Sequence, residues 1–220
     1  MKKKVDIAVA TDPVKDPYDI IEYAKELQEK VELLHCDVMD GKFVSKKSLD
    51  AGFIKLINSQ TALPLDVHMM VSEPKNVIDD YIDAGANIVT LHFEAFKDKK
   101  QLLLALSHIR KKSALAGISF KPSTSLRDVK SFLFYVDVVL LMGVEPGASG
   151  QPMKEATFDR LKKIAKFRAD NKLAFKIEVD GGVNEDNAHL LAELGADILV
   201  SGSFVYGSSD KEKAIKKLRK

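Results

Sequence analysis

Cysteine is nearly absent: Cys36 is the one thiol in 220 residues. No internal disulfide can form, and the chain reads as suited to a reducing compartment. Neither sign of charge is in excess. The 34 basic and 32 acidic side chains leave +2, too weak a field to make nucleic acid or a membrane surface the expected partner. Long apolar runs are missing as well, since no stretch approaches the roughly 20 residues that a membrane span needs. The apolar part of the opening MKKKVDIAVA is short, interrupted by Asp6 and followed by TDP. It reads as a first strand rather than a secretory leader. No linker rich in proline, glycine or serine divides the chain. These absences describe a soluble, cytoplasmic protein with one domain over 1–220, long enough to bury a sizeable core. The tail DKEKAIKKLRK is a local exception in charge, yet Ala214, Ile215 and Leu218 recur at helical spacing. It reads as a solvated terminal helix with one apolar side.

What the chain does have is repetition. Apolar runs of strand length alternate with helix-period segments. VDIAVA (5–10) precedes YDIIEYAKELQEK, VELLHCDV (31–38) precedes LDAGFIKLIN, and PLDVHMMV (64–71) precedes PKNVIDDYIDAG. The series continues with NIVTLHFE (87–94), LAGISF (115–120), DVVLLMGV (137–144), AFKIEVDG (174–181) and DILVSGS (197–203), each followed by a helical segment. Pro74 should open the third helix, where a missing N–H costs little; Gly85 and Gly195 stand where helices should stop. Those glycines also mark an internal echo, DAGANIVT (83–90) against ELGADILV (193–200), half a chain apart. Eight βα units with half-chain similarity favour a closed (β/α)8 TIM barrel over an open doubly wound sheet. Function then belongs at the carboxyl ends of the strands.

Ionisable residues collect at those ends. Side chains two apart on a strand share a face, which pairs His35 with Asp37, Asp66 with His68, and Glu178 with Asp180. Any one of them alone reads as a satisfied polar residue at a barrel rim. As a set they read differently, because burying several such groups without a shared partner costs several kcal/mol each. A divalent cation held by the two imidazoles of His35 and His68 and the two carboxylates of Asp37 and Asp180 satisfies all four. Mixed nitrogen and oxygen donors suit zinc, iron, manganese or cobalt. If Asp37 and Asp180 approach a substrate from opposite faces, one can take a proton while the other delivers one, inverting a carbon centre; a cation between them would stabilise the enediolate formed midway. Cys36 should point away from this face, as a small apolar filler.

Three glycine loops follow adjacent strands: GVEPGASGQ (143–151), DGG (180–182) and SGS (201–203). Each glycine alone could be a turn residue. Together their backbone N–H groups make a phosphate pocket, in the place where barrels often bind phosphate. The expected substrate is a small phosphorylated carbonyl compound.

The segments HCDVMDGKFV, PLDVHMMV, HFEA, GVEPGASGQP, IEVDGGVN and SGSFVYG resemble, in order and spacing, the motifs of the ribulose-phosphate 3-epimerase family over almost the whole chain. The resemblance implies a metal-dependent (β/α)8 barrel that interconverts ribulose 5-phosphate and xylulose 5-phosphate. It makes His35, Asp37, His68 and Asp180 the metal ligands, with Asp37 as proton acceptor and Asp180 as donor in one direction. Gly147, Ala148, Ser149, Gly150, Gly181, Gly182, Gly202 and Ser203 fall where the family holds substrate and phosphate, with His68 also at the substrate. Met39, Met70 and Met142 fall near the family's site methionines, although core packing accounts equally for Met70.

Departures from the pattern are specific. Ala10 stands where the family has a substrate-contacting serine, Ser45 and Lys46 where it usually has Pro-Asn, and Ala148 and Ser149 in place of Phe and Gly. They leave the metal and acid/base pattern whole and alter the substrate's surroundings. A 3-epimerase for a hexulose phosphate such as allulose 6-phosphate is therefore the nearest rival, and a non-catalytic metal- and phosphate-binding homologue a further one. The related lyases that use D-x-K-x-x-D are disfavoured, because Met39 stands where their lysine would be. His92 and Glu94 could line the site or pack at its rim. The family commonly forms homo-oligomers, and exposed apolar helix faces could support one.

Overall fold

The computed structural model describes residues 5–219. Its strands are β1 (Asp6–Ala10), β2 (Leu33–Met39), β3 (Leu65–Met70), β4 (Ala86–His92), β5 (Leu115–Phe120), β6 (Val138–Met142), β7 (Lys176–Asp180) and β8 (Ile198–Ser201). They pair in chain order, all parallel, and β8 returns to β1 from Asp6↔Ile198 to Val9↔Ser201, closing the barrel. The expected (β/α)8 TIM barrel is the fold found. Parallel strands covered on both faces call for near-continuous apolar runs, and here the two faces differ. The outward face, with Leu34, Cys36, Val38, Val67, Met69, Val89 and Leu91 among its members, joins the large core under the helices. The apolar cluster of the barrel interior is far smaller, built on Ala8, Ala10, Ile198 and Val200.

The helices are α1 (Asp19–Leu27), α2 (Ala51–Gln60), α3 (Ile78–Asp83), α4 (Lys99–Lys111), α5 (Leu126–Val129), α6 (Ala156–Asp170), α7 (Ala188–Glu193), α8 (Ser203–Tyr206) and α9 (Lys211–Leu218). Asp50, Asp98 and Asp210 cap α2, α4 and α9 by accepting from backbone N–H groups of the first turn. Gly85 and Gly195 follow α3 and α7 with φ of 108° and 116°, so both stop signals hold. They also sit at equivalent places before β4 and β8, which is what the half-chain echo implied. The third helix departs from expectation. Pro74 opens a 3₁₀ turn, Pro74–Asn76, and α3 starts afresh at Ile78 because Val77 leaves helical geometry. The fourth strand likewise stops at His92, and Phe93–Ala95 form a 3₁₀ turn. In α9 the residues Ala214, Ile215 and Leu218 are buried, as the spacing required. Among the described residues no helix is long and apolar enough to cross a membrane.

Register decides what meets at the mouth. Pairing of β2 with β3 sets His35 beside Asp66 and Asp37 beside His68; pairing of β6 with β7 sets Met142 beside Asp180.

Candidate active site

The side chains that face inward at the carboxyl end come chiefly from β2, β3, β4 and β7. Oδ1 of Asp37 lies 3.4 Å from His68 Nδ1 and 3.7 Å from His35 Nε2, and those two ring nitrogens are 3.4 Å apart. One ligand atom each from His35, Asp37, His68 and Asp180 falls within 4.8 Å of the other three. The four residues expected from the sequence are thus brought together, three of them buried and Asp180 partly open to the mouth.

Behind this group a second layer orients it. His35 Nδ1 is 2.5 Å from Asp66 Oδ2; with the proton on Nδ1, the Nε2 lone pair faces Asp37 and His68. His68 Nε2 is 2.8 Å from His92 Nε2, and His92 Nδ1 is 3.2 Å from Glu94 Oε2. If His68 donates to His92 and His92 to Glu94, every one of these atoms is satisfied and His68 Nδ1 offers its lone pair to the same point. The donor set, two imidazole nitrogens and two carboxylates converging from three strands, fits a first-row divalent cation.

The electrostatics differ from member to member, and without a cation they favour the charged form of His35 while keeping His68 neutral. Burial alone would lower the pKa of His35, but the Asp66 carboxylate against its ring holds it well above its ordinary value. Burial and the neighbouring His92 and His35 push His68 well below its own, so it stays a neutral donor. Burial pushes Asp37 up to about 6, against the pull of His35 and with the help of Asp12. Asp180 goes up to about 7 for the same first reason, with Asp37 and Asp12 adding to it. Two carboxyls poised this close to neutrality can exchange protons at working pH.

Asp66 and Glu178 share a face with candidate ligands in the sequence pattern, which by itself gives neither of them a part. Both are fully buried. Among the described residues, the Asp66 Oδ1, both Glu178 oxygens, Thr90 Oγ1 and Ser119 Oγ find no hydrogen-bond partner. Burial and the Asp66 charge push Glu178 up to about 8. The same two-residue spacing that points to His35 and Asp37 is the available signal for them. His92, for which the sequence allows either lining or packing, is a buried partner of His68 with Phe43 packed on its ring at 4.8 Å. Cys36 faces outward, its thiol 3.8 Å from the Leu34 carbonyl and pushed up by burial.

The glycine loops close the other side of the mouth. Gly147, Ala148, Ser149, Gly150, Gly181, Gly182, Gly202 and Ser203 line one cavity with Asp37 and Asp180, and so do Met39, Met70, Met142 and Ala10. Gly181 and Gly182 hold φ of 103° and 74°. A Cβ at Gly181 would lie 2.5 Å from Val144 Cγ2, and one at Gly182 would strike the Met153 backbone. Only glycine passes here. The end of β2 is fixed by Thr11 Oγ1, which accepts from Asp37 N at 3.2 Å, and by Ser48 Oγ, which donates to Asp37 O at 2.5 Å.

Fold and site define a (β/α)8 barrel whose mouth joins a His/Asp cluster that could hold a cation to a glycine-lined cavity. The family model described as ribulose-phosphate 3 epimerase matches residues 14–206. A ribulose-phosphate 3-epimerase of Aquifex aeolicus is 36% identical over 188 residues, covering 86% of this chain and 83% of that protein. One from Chlamydia pneumoniae is 41% identical over 189 residues, covering 83% and 80%. Among solved structures, 3-keto-L-gulonate-6-phosphate decarboxylase of Vibrio cholerae superposes with a TM-score of 0.74 at 13% identity, covering 99% of this chain and 96% of that one, a likeness of fold. The chain belongs to the ribulose-phosphate 3 epimerase family.

Proposed function

We propose that this chain is an isomerase that inverts C3 of D-ribulose 5-phosphate to give D-xylulose 5-phosphate. His35, Asp37, His68 and Asp180 hold one divalent cation, zinc, iron, manganese or cobalt. Asp37 removes the C3 proton on one face and Asp180 returns one on the other; the reverse reaction exchanges their roles. When bound, the cation supplies positive charge against the enediolate that forms between the two transfers. The backbone of Gly147 to Gly150, Gly181, Gly182, Gly202 and Ser203 receives the phosphate. His68 and the three methionines flank the reacting carbon. The reaction needs neither nucleic acid nor membrane, and its setting is the cytoplasm, which suits a single buried thiol. Assembly into a homo-oligomer is compatible with exposed Leu104, Phe134 and Tyr135.

One observation carries the reading: four donor atoms from His35, Asp37, His68 and Asp180 within 4.8 Å of one another at the mouth of a barrel of this family. Ala10 in the cavity wall supports the hexulose phosphate as the second substrate to try. In deuterium oxide, protein supplied with Mn, Fe, Co or Zn should wash deuterium into C3 of ribulose 5-phosphate faster than into that of allulose 6-phosphate. The opposite order selects the hexulose, and no exchange with either sugar refutes an epimerase.

A further inference from the structure

Arg160 on α6 is half-buried and spends its guanidinium on one short turn. Its Nη1 donates to Pro122 O at 2.7 Å and to Thr124 O at 2.9 Å, and its Nη2 donates to Lys121 O at 3.2 Å. The turn follows β5 directly and is closed by Thr124 N donating to Lys121 O at 3.0 Å. The face of the turn toward β4 holds Glu94. Lys121 N donates to Glu94 Oε1 at 2.8 Å, and the Thr124 hydroxyl donates to the same oxygen. That occupies Oε1 and leaves Oε2 for His92 Nδ1, 3.2 Å away.

The order of donors then follows from the carboxylate, which can only accept. Burial keeps His92 and His68 neutral, so each ring has one N–H and one lone pair. With its proton on Nδ1 toward Glu94, His92 accepts at Nε2 from His68 Nε2, 2.8 Å away. His68 is left with its lone pair on Nδ1, 3.4 Å from Asp37 Oδ1 in the candidate cation site. The reverse order would set a ring lone pair against the carboxylate.

We infer that Arg160 is a positioning residue for the cation: by fixing the turn after β5 it orients Glu94, and through Glu94 and His92 it keeps the Nδ1 lone pair of His68 aimed into the site. The inference rests on the epimerase reading, because it takes His68 as a ligand. A planar fork that reaches three carbonyls at once suits this task, and a lysine does not reproduce it.

The test is a cobalt titration of the wild type, Glu94→Gln, Arg160→Met, Arg160→Lys and the double variant Arg160→Met with Glu94→Gln, read by the visible absorption of the bound ion. Glu94→Gln leaves an amide N–H facing His92 and should weaken cobalt binding by roughly tenfold to a hundredfold. Arg160→Met should weaken it by roughly threefold to tenfold, and Arg160→Lys should fall between that variant and the wild type. The double variant should bind within about twofold of Glu94→Gln alone, since Arg160 acts through the carboxylate already lost. Unfolded protein lowers the stoichiometry and not the affinity of the folded fraction, and if Arg160→Met does not fold, Arg160→Lys takes its place in the cycle. Unchanged affinity in the Arg160 variant, or a double variant that shows the product of the two single effects, overturns the inference and leaves the epimerase reading standing. A wild type that binds none of cobalt, zinc, manganese and iron overturns the epimerase reading itself.

Discussion

On β2, Leu34, Cys36 and Val38 point outward into the layer between barrel and helices, while His35 and Asp37, interleaved with them, point inward. The outward set is one patch of an apolar core that runs around the whole barrel. Its members are interchangeable in kind: each contributes roughly 1.5–3 kcal/mol by leaving water, and a swap of similar volume costs little. The inward set has no such redundancy. Its buried carboxylates and hydroxyls include several atoms without a partner among the described residues, and such groups oppose folding rather than favour it. The same strand therefore stabilises the fold with one face and, on the proposed mechanism, carries the chemistry with the other. A substitution should show which face it lies on by whether stability or activity moves.

The strongest way to sharpen that contrast is Asp180→Asn, which keeps the shape and removes the charge and the proposed proton-transfer group. Epimerisation should fall by about a thousandfold or more. The thermal midpoint should hold or rise, because a carboxyl that burial already pushes up to about 7 no longer has to ionise beside Asp37. Parallel measurements of C3 exchange and of thermal unfolding decide it. A marked loss of stability with activity retained would place Asp180 with the shell instead.

Asp66→Asn probes the layer beneath and should have a smaller effect. The introduced amide would still fill the space but would orient the His35 ring without the full charge that holds its Nδ1 proton. Affinity for the cation should drop by roughly tenfold to a hundredfold, read by titrating the protein with Mn or Zn, while the maximal rate at saturating cation changes much less. Unchanged affinity would reduce the 2.5 Å contact between His35 and Asp66 to packing.

The two faces also differ in how legible they are in the sequence. The alternation of apolar runs and helical segments reveals the barrel because the outer core is large and periodic, and local signals such as Gly85 and Gly195 carry through. The break at Val77 does not show, because PKNVIDDYIDAG has no glycine or second proline there to mark it, while Val77 itself leaves helical geometry. The four candidate ligands are readable since ionisable residues two apart in strands are rare enough to stand out. Asp66 and Glu178 obey the same rule without declaring a role, because their part lies in contacts between strands: which of the two β3 residues meets His35 is fixed by the β2–β3 register. His92 is undecidable from the sequence for the same reason, its place set by a 2.8 Å contact with His68 from the neighbouring strand. The bonds from Arg160 to the turn after β5 span 36 to 39 residues, beyond any local pattern.

The smallest expected effect is also the most direct test of the contrast, because Cys36 lies between two of the four candidate ligands in the chain and yet belongs to the other face. Its thiol contacts the Leu34 carbonyl and packs in the outer core, and burial pushes it far from the thiolate form, so it has neither the position nor the charge to reach substrate or cation. Cys36→Ala removes one buried sulfur. It should cost about 1 kcal/mol, equivalent to about 2–4 °C in thermal midpoint for a chain of this size, and leave kcat/KM and cation affinity unchanged within twofold or so. A folded, cation-binding Cys36→Ala protein without activity would mean that the faces of β2 are not separate, and that the outward layer sets the geometry of His35 and Asp37 through the backbone they share.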